Sequence, residues 1–248
     1  MSVMLELPSS LRAATLLAQV RARRPRVHCL MNTVVQKFTA DGITVVGGIP
    51  SMTSSFEEIG SFVAKADALV VNLGTLDAAR REVIRLAVGV ANAAGKPWIL
   101  DPVHCDYSPS RLAFARELTG LGPAIVRGNT AEMALFEEAG SAVRICTGPV
   151  DRLADGGRSV RIANGHRWMA AVTGTGCLTG GVIAAFMAVE PDKLIAAASA
   201  LVVTGVSAEL AAREAKGPGS FGVAFLDSLS EVGADELLLH ARIEDDRN

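Results

Sequence analysis

Five short apolar runs constrain this chain most: Val27 to Met31, Ala68 to Leu73, Pro97 to Leu100, Ala124 to Val126 and Val143 to Cys146. A strand with one solvated face alternates polar and apolar residues. Runs without that alternation predict strands covered on both faces, the signature of a mainly parallel sheet with crossover helices. The intervening segments agree. Val83, Ala87, Val90 and Ala94 fall at helical spacing, Arg80, Arg81 and Arg85 lie elsewhere on the turn, and Gly95 marks a C-terminal stop. Ser54 and Ser55 each precede a glutamate by three residues, which predicts a capping box for the helix before Ala68. After Thr147, Asp155-Gly156-Gly157 separates Leu153 from Val160 and Ile162, as in a β-hairpin. The C-terminal third is alanine-rich and reads as several packed helices. With no linker or repeat, one domain is expected across residues 1–248.

Half of the 248 residues are apolar and a fifth are charged, enough for a substantial core. A net charge of −2 and a pI near 6.1 give no positive field for nucleic acid or anionic membrane, so the expected partner is a small molecule. The uncharged stretch from Trp168 to Val189 is long enough to raise a membrane span. Glycines and hydroxyl residues from Thr173 to Thr179 instead favour a phosphate-binding turn entering a buried helix. Arg12, Arg21, Arg23, Arg24 and Arg26 read as part of an amphipathic first helix and its exit rather than a transit peptide. Cys29, Cys105, Cys146 and Cys177 are widely spaced with no CxxC pair, which argues for reduced thiols in a cytoplasm.

In open parallel sheets, ligands collect beyond the carboxyl ends of the strands, where helices present their N-termini. The residues just after each run are therefore informative: Asp101-Pro102, Arg127-Gly128-Asn129, Thr147-Gly148 and, past the hairpin, Val172-Thr173-Gly174-Thr175-Gly176-Cys177. The last is the sharpest signal for an anion site, because glycines let backbone N–H groups approach while a helix dipole favours negative charge. The same terminus is expected to lower the pKa of Cys177. A glycine turn needed only for close packing, followed by a buried inert cysteine, fits the string equally well. Asp101 before Pro102 also suits a local turn, and Asn129 with Glu132 suits an N-terminal capping box that needs no ligand.

Taken in order, these strings resemble the hydroxyethylthiazole kinases of the ribokinase-like superfamily. The matching set is Asn32 with Val34-Val35-Gln36, Pro50-Ser51-Met52, Asn72 to Leu76, Leu100 to Val103, Arg127 to Asn129, Thr147-Gly148, Asn164-Gly165-His166, Gly174 to Cys177 and Lys216 to Phe221. The resemblance implies a three-layer αβα, ribokinase-like fold and phosphorylation of a thiazole alcohol by ATP with Mg²⁺. It implies Cys177 at the position of the catalytic base, Asp101 and Glu132 toward magnesium, and Arg127 and Thr147 toward the nucleotide. Met52, Gly174 and Asn32 correspond to thiazole-contacting positions, and Gly217 to Ser220 border the nucleotide. A homotrimer with sites near subunit boundaries is a further expectation from the resemblance.

Two departures stand out. After Val103 the family continues with small glycine-rich residues, whereas this chain has His104-Cys105-Asp106-Tyr107-Ser108. Between Glu132 and Val143 it is shorter than is usual, which predicts a trimmed crossover helix. His28-Cys29 with His104-Cys105-Asp106 raises a zinc site, but adjacent strand residues point to opposite faces and cannot share an ion. Competing readings are a related kinase of another small alcohol, an ATP-dependent nicotinamide-hydrate repair enzyme, a nucleotide-binding sensor and a cysteine hydrolase.

Overall fold

The computed structural model describes residues 7–136 and 140–246. Helix α1 (Ser10–Arg23) leads into β1 (Arg26–Leu30), α2 (Gln36–Val45) into β2 (Ile49–Ser51) and α3 (Ile59–Lys65) into β3 (Ala68–Asn72). The alternation continues through α4 (Ala78–Ala93), β4 (Trp98–Asp101), α5 (Pro109–Thr119) and β5 (Ile125–Asn129). A four-residue helix, α6 (Thr130–Met133), then precedes β6 (Val143–Thr147) and a hairpin of β7 (Asp151–Ala154) and β8 (Ser159–Ile162). Helices α7 (Thr175–Met187), α8 (Lys193–Glu214), α9 (Pro218–Glu231) and α10 (Ala234–His240) come next, and β9 (Ile243–Asp245) is the last strand.

Among the described residues, nine strands form one sheet in the order β2-β1-β3-β4-β5-β6-β7-β8-β9. Neighbours from β2 to β6 run parallel, and β7, β8 and β9 are added antiparallel. The unalternating runs have the expected cause, because each face has its own core. Val27, Cys29, Ala68, Val70, Ile99 and Ile125 pack with residues of α1, α2 and α7 to α10. Their strand neighbours Leu30, Leu69, Val71, Leu100 and Val126 pack with α3, α4 and α5. His28 and Cys29 obey the same alternation: Cys29 joins the first core, while His28 faces Phe62 of α3 at 5.9 Å. Helix α8 is long and apolar enough to cross a membrane by length and composition, yet 89% of its most apolar window is buried against the sheet and other helices.

Most helix starts obey local rules. Asp77 caps α4, Ser108 caps α5 with Pro109 at the first turn, and Asp192 accepts two N–H bonds at the start of α8. The capping boxes expected at Ser54 and Ser55 do not form. Helix α3 begins later, at Ile59, and the glutamates are taken up by hydroxyls: Ser55 donates to Glu57 and Thr53 to Glu58. The crossover read as trimmed contains α6; residues 137–139 within it lie outside the described residues.

Candidate active site

The connectivity reverses at β1, with β2 on one side and β3 on the other, and a parallel sheet opens a crevice at such a point. Strands β3 and β4 pair so that Asn72 lies beside Asp101, each the last residue of its strand. Asn72 is fully buried, and its Nδ2 donates to Asp101 Oδ2 at 3.1 Å and to Cys177 Sγ at 3.5 Å. One amide thus ties the strand carboxylate to the first turn of α7. Asn72 is held from behind: its Oδ1 accepts from the Gly74 N–H, and Arg80 donates to its carbonyl.

Gly174, the residue before α7, has φ 101°, and a Cβ there would stand 3.1 Å from Val35. The left-handed φ favours glycine at this entrance, and a Cβ would press on the Val35 side chain. The first intrahelical bond runs from Leu178 N–H to the Gly174 carbonyl, so the Gly176 and Cys177 amides precede it and are available to a ligand. Arg127, 8% exposed, lies against the same turn, with a Cβ on Gly176 placed 3.5 Å from Nη2. Its Nη1 is 3.7 Å from Asp101 Oδ2. Thr147, beside Asn129 in the register of β5 and β6, donates through its hydroxyl to the Gly128 carbonyl.

Glu132 forms the capping box with Asn129: its Oε2 accepts from the Asn129 N–H at 2.8 Å while Asn129 Oδ1 accepts from the Glu132 N–H. Its Oε1 also accepts from the His104 N–H at 2.7 Å. The capping role of Glu132 therefore holds and does not exhaust it, because a carboxylate has about four acceptor positions. Asp101 is held above the ordinary carboxylate range, chiefly by burial; Arg127 opposes the shift and the nearby charge of Glu132 adds to it. Two buried carboxylates with such mutual repulsion and oxygen-only donors fit a hard divalent cation.

The expectation that the helix terminus lowers the Cys177 pKa is overturned. Burial, reinforced by the Asp101 charge, pushes the thiol up to about 12, and these outweigh the opposing effects of Arg127 and Asn72. A thiol that stays protonated speaks against the cysteine-hydrolase reading.

The residues read as thiazole contacts lie on the neighbouring side. Asn32 leans on Gly74, where a Cβ would approach its Nδ2 to 2.7 Å, and Gly174 abuts Val35 and Phe38 of the same segment. Met52 comes directly after β2 and is partly buried against the first core. Asn72 received no role from sequence. The available signal was a polar residue closing an otherwise apolar buried run, directly before Leu73-Gly74.

A parallel sheet with an antiparallel extension, helices on both faces, and a glycine-led helix facing a strand-end acid define the ribokinase-like class of small-molecule kinases. The likeness extends to Bacillus subtilis pyridoxal kinase solved with ADP, at TM-score 0.58 and 14% identity, covering 75% of this chain and 92% of that one, which bears on fold alone. The model of the Hydroxyethylthiazole kinase family matches residues 17–142 and 136–235, and the chain belongs to that family. A probable hydroxyethylthiazole kinase of Agrobacterium fabrum is 71% identical over 96% of this chain and 97% of its own length. The hydroxyethylthiazole kinase of Granulibacter bethesdensis is 41% identical over 88% of this chain and 89% of its own. The solved structure of the Pyrococcus horikoshii hydroxyethylthiazole kinase superposes at TM-score 0.91 with 35% identity, covering 94% of this chain and 98% of that one.

Proposed function

We propose that this chain, acting as a single kinase domain, transfers the γ-phosphoryl group of ATP to the hydroxyl of 4-methyl-5-(2-hydroxyethyl)thiazole, giving its phosphate ester in thiamine salvage. Within a chain of this family, the observation that carries the reading is the Asn72 bridge, which brings Cys177 and the glycine-led start of α7 to the strand-end acid Asp101.

Cys177 stands nearest the reacting hydroxyl. A thiol raised to about 12 is a poor base, so its part is to orient the alcohol while the amides at the helix start receive the phosphoryl charge. Phosphoryl transfer tolerates a weak base because its loose transition state depends mostly on positioning and charge stabilisation. Arg127 and Thr147 face the nucleotide, and Asn32, Met52 and Gly174 hold the thiazole. Asp101 and Glu132 would hold Mg²⁺, directly or through water; when bound, the ion offsets charge on the phosphate oxygens. The enzyme is proposed to work in the cytoplasm as a homotrimer of the 25.8 kDa chain, with its sites near subunit boundaries.

Incubation of the purified chain with ATP, Mg²⁺ and the thiazole alcohol, then mass spectrometry for the phosphate ester, tests the activity. A panel including pyrimidine alcohols and the hydrated nicotinamide cofactor tests the substrate. ATP binding without turnover of any of them would sink the kinase reading in favour of a sensor, and native mass measurement tests the trimer.

A further inference from the structure

The loop after β4 is held in an uncommon backbone shape. His104 has φ 53°, a left-handed conformation for a residue with a side chain, and its N–H is donated to Glu132. Its imidazole stacks on Tyr107 with ring centroids 5.2 Å apart and planes at 6°. This arrangement brings one ligand atom from each of His104, Asp106 and Glu132 within 4.8 Å of one another. Glu132 is buried and fixed by its cap, whereas the side chains of His104 and Asp106 are exposed.

We propose that His104, Asp106 and Glu132 form a divalent-cation site of mixed nitrogen and oxygen ligation, which takes a first-row transition ion such as Co²⁺, Mn²⁺ or Zn²⁺ in the absence of nucleotide. Metal–ligand distances near 2.1 Å put adjacent donors of one ion about 3 Å apart, so closure needs only a small movement of two exposed side chains. Among the described residues, neither Asp106 nor Glu132 takes part in a salt bridge, so their charges lack a fixed cation. The nearby cations are engaged elsewhere: Arg127 faces Asp101, and Arg111 donates to the Val103 carbonyl. An imidazole beside two carboxylates suits transition ions, while an oxygen-only pair such as Asp101 and Glu132 suits magnesium. The site shares Glu132 with the proposed magnesium position, but its other two ligands come from the loop after β4. It needs no phosphate oxygens.

Titration of the full, nucleotide-free chain with Co²⁺, monitored by the visible d–d absorption and by calorimetry, tests the proposal without reference to kinase activity. One saturable equivalent is expected, with His104→Ala and Asp106→Asn each weakening binding at least about tenfold and leaving circular dichroism and Tm unchanged. No saturable binding, binding indifferent to both substitutions, or a sulfur-to-cobalt charge-transfer band that places the ion on a cysteine would overturn it. None of these results bears on whether the chain phosphorylates the thiazole.

Discussion

Cys177 occupies the third position of α7, where a helix dipole acting alone would favour the thiolate. Burial and Asp101 reverse that preference and favour the protonated thiol. Cys177→Ala is expected to lower kcat roughly tenfold, short of the ~10²–10⁴ typical of general-base loss, and Cys177→Asp to retain activity. Steady-state assays on folded variants decide it; abolition of turnover in the alanine variant would mean the thiol does more than orient the alcohol. Asn72 carries a larger share, because it holds the acid and the thiol together at 3.1 Å and 3.5 Å. Asn72→Ala is expected to lower kcat about 10²-fold with little change in KM for the alcohol, since misplacing reacting groups by ~1 Å has that order of cost. A change confined to KM would contradict the bridging role.

At the scale of elements, β1 and β2 are joined by side chains as well as by their ladder. The buried His28 lies 2.8 Å from Ser51 Oγ through Nδ1 and 3.1 Å from the Thr53 carbonyl through Nε2, on either side of Met52. The carbonyl can only accept, which assigns the proton to Nε2 and leaves Nδ1 to accept from the serine hydroxyl. Burial lowers the His28 pKa from 6.5 to about 4. Between those values the unfolded chain binds a proton that the folded chain does not, so stability is complete above about pH 6.5 and falls as pH drops toward 4. The loss attributable to this group is on the order of 3 kcal/mol. Denaturant titrations across that range should show a smaller acid sensitivity in His28→Gln than in the parent chain; equal slopes would place the acid sensitivity elsewhere. Element starts also mark the limit of local patterns. The spacing of Ser54 and Ser55 to Glu57 and Glu58 satisfies the capping rule, yet competing hydroxyl contacts win. The identical rule at Asn129 and Glu132 succeeds because Asn129 closes a strand and points its amide straight into α6.

Across the whole molecule, one sheet separates two cores. Trp98 is buried in the core under α3, α4 and α5, while Trp168 packs on the opposite core. If the chain is one domain, then within each of Trp98→Phe and Trp168→Phe the fluorescence of the remaining tryptophan and the loss of helical circular dichroism should share one midpoint, whatever the difference in stability between the two variants. Two separated midpoints would divide the molecule. The apolar runs by themselves determined five of the six parallel strands, β1 and β3 to β6, their order along the chain and the helical cover, because a doubly buried strand leaves its mark in contiguous residues; the three-residue edge strand β2 left no such run. The ordered motifs determined the family and drew attention to Cys177, Asp101, Arg127 and Glu132. Only the tertiary structure decided that Asn72 links two of them, that Cys177 keeps its proton, that Glu132 serves a cap and a loop together, and that His104 and Asp106 converge on it. Burial and charge at such a site depend on neighbours far apart in sequence, and no local spacing encodes their distances.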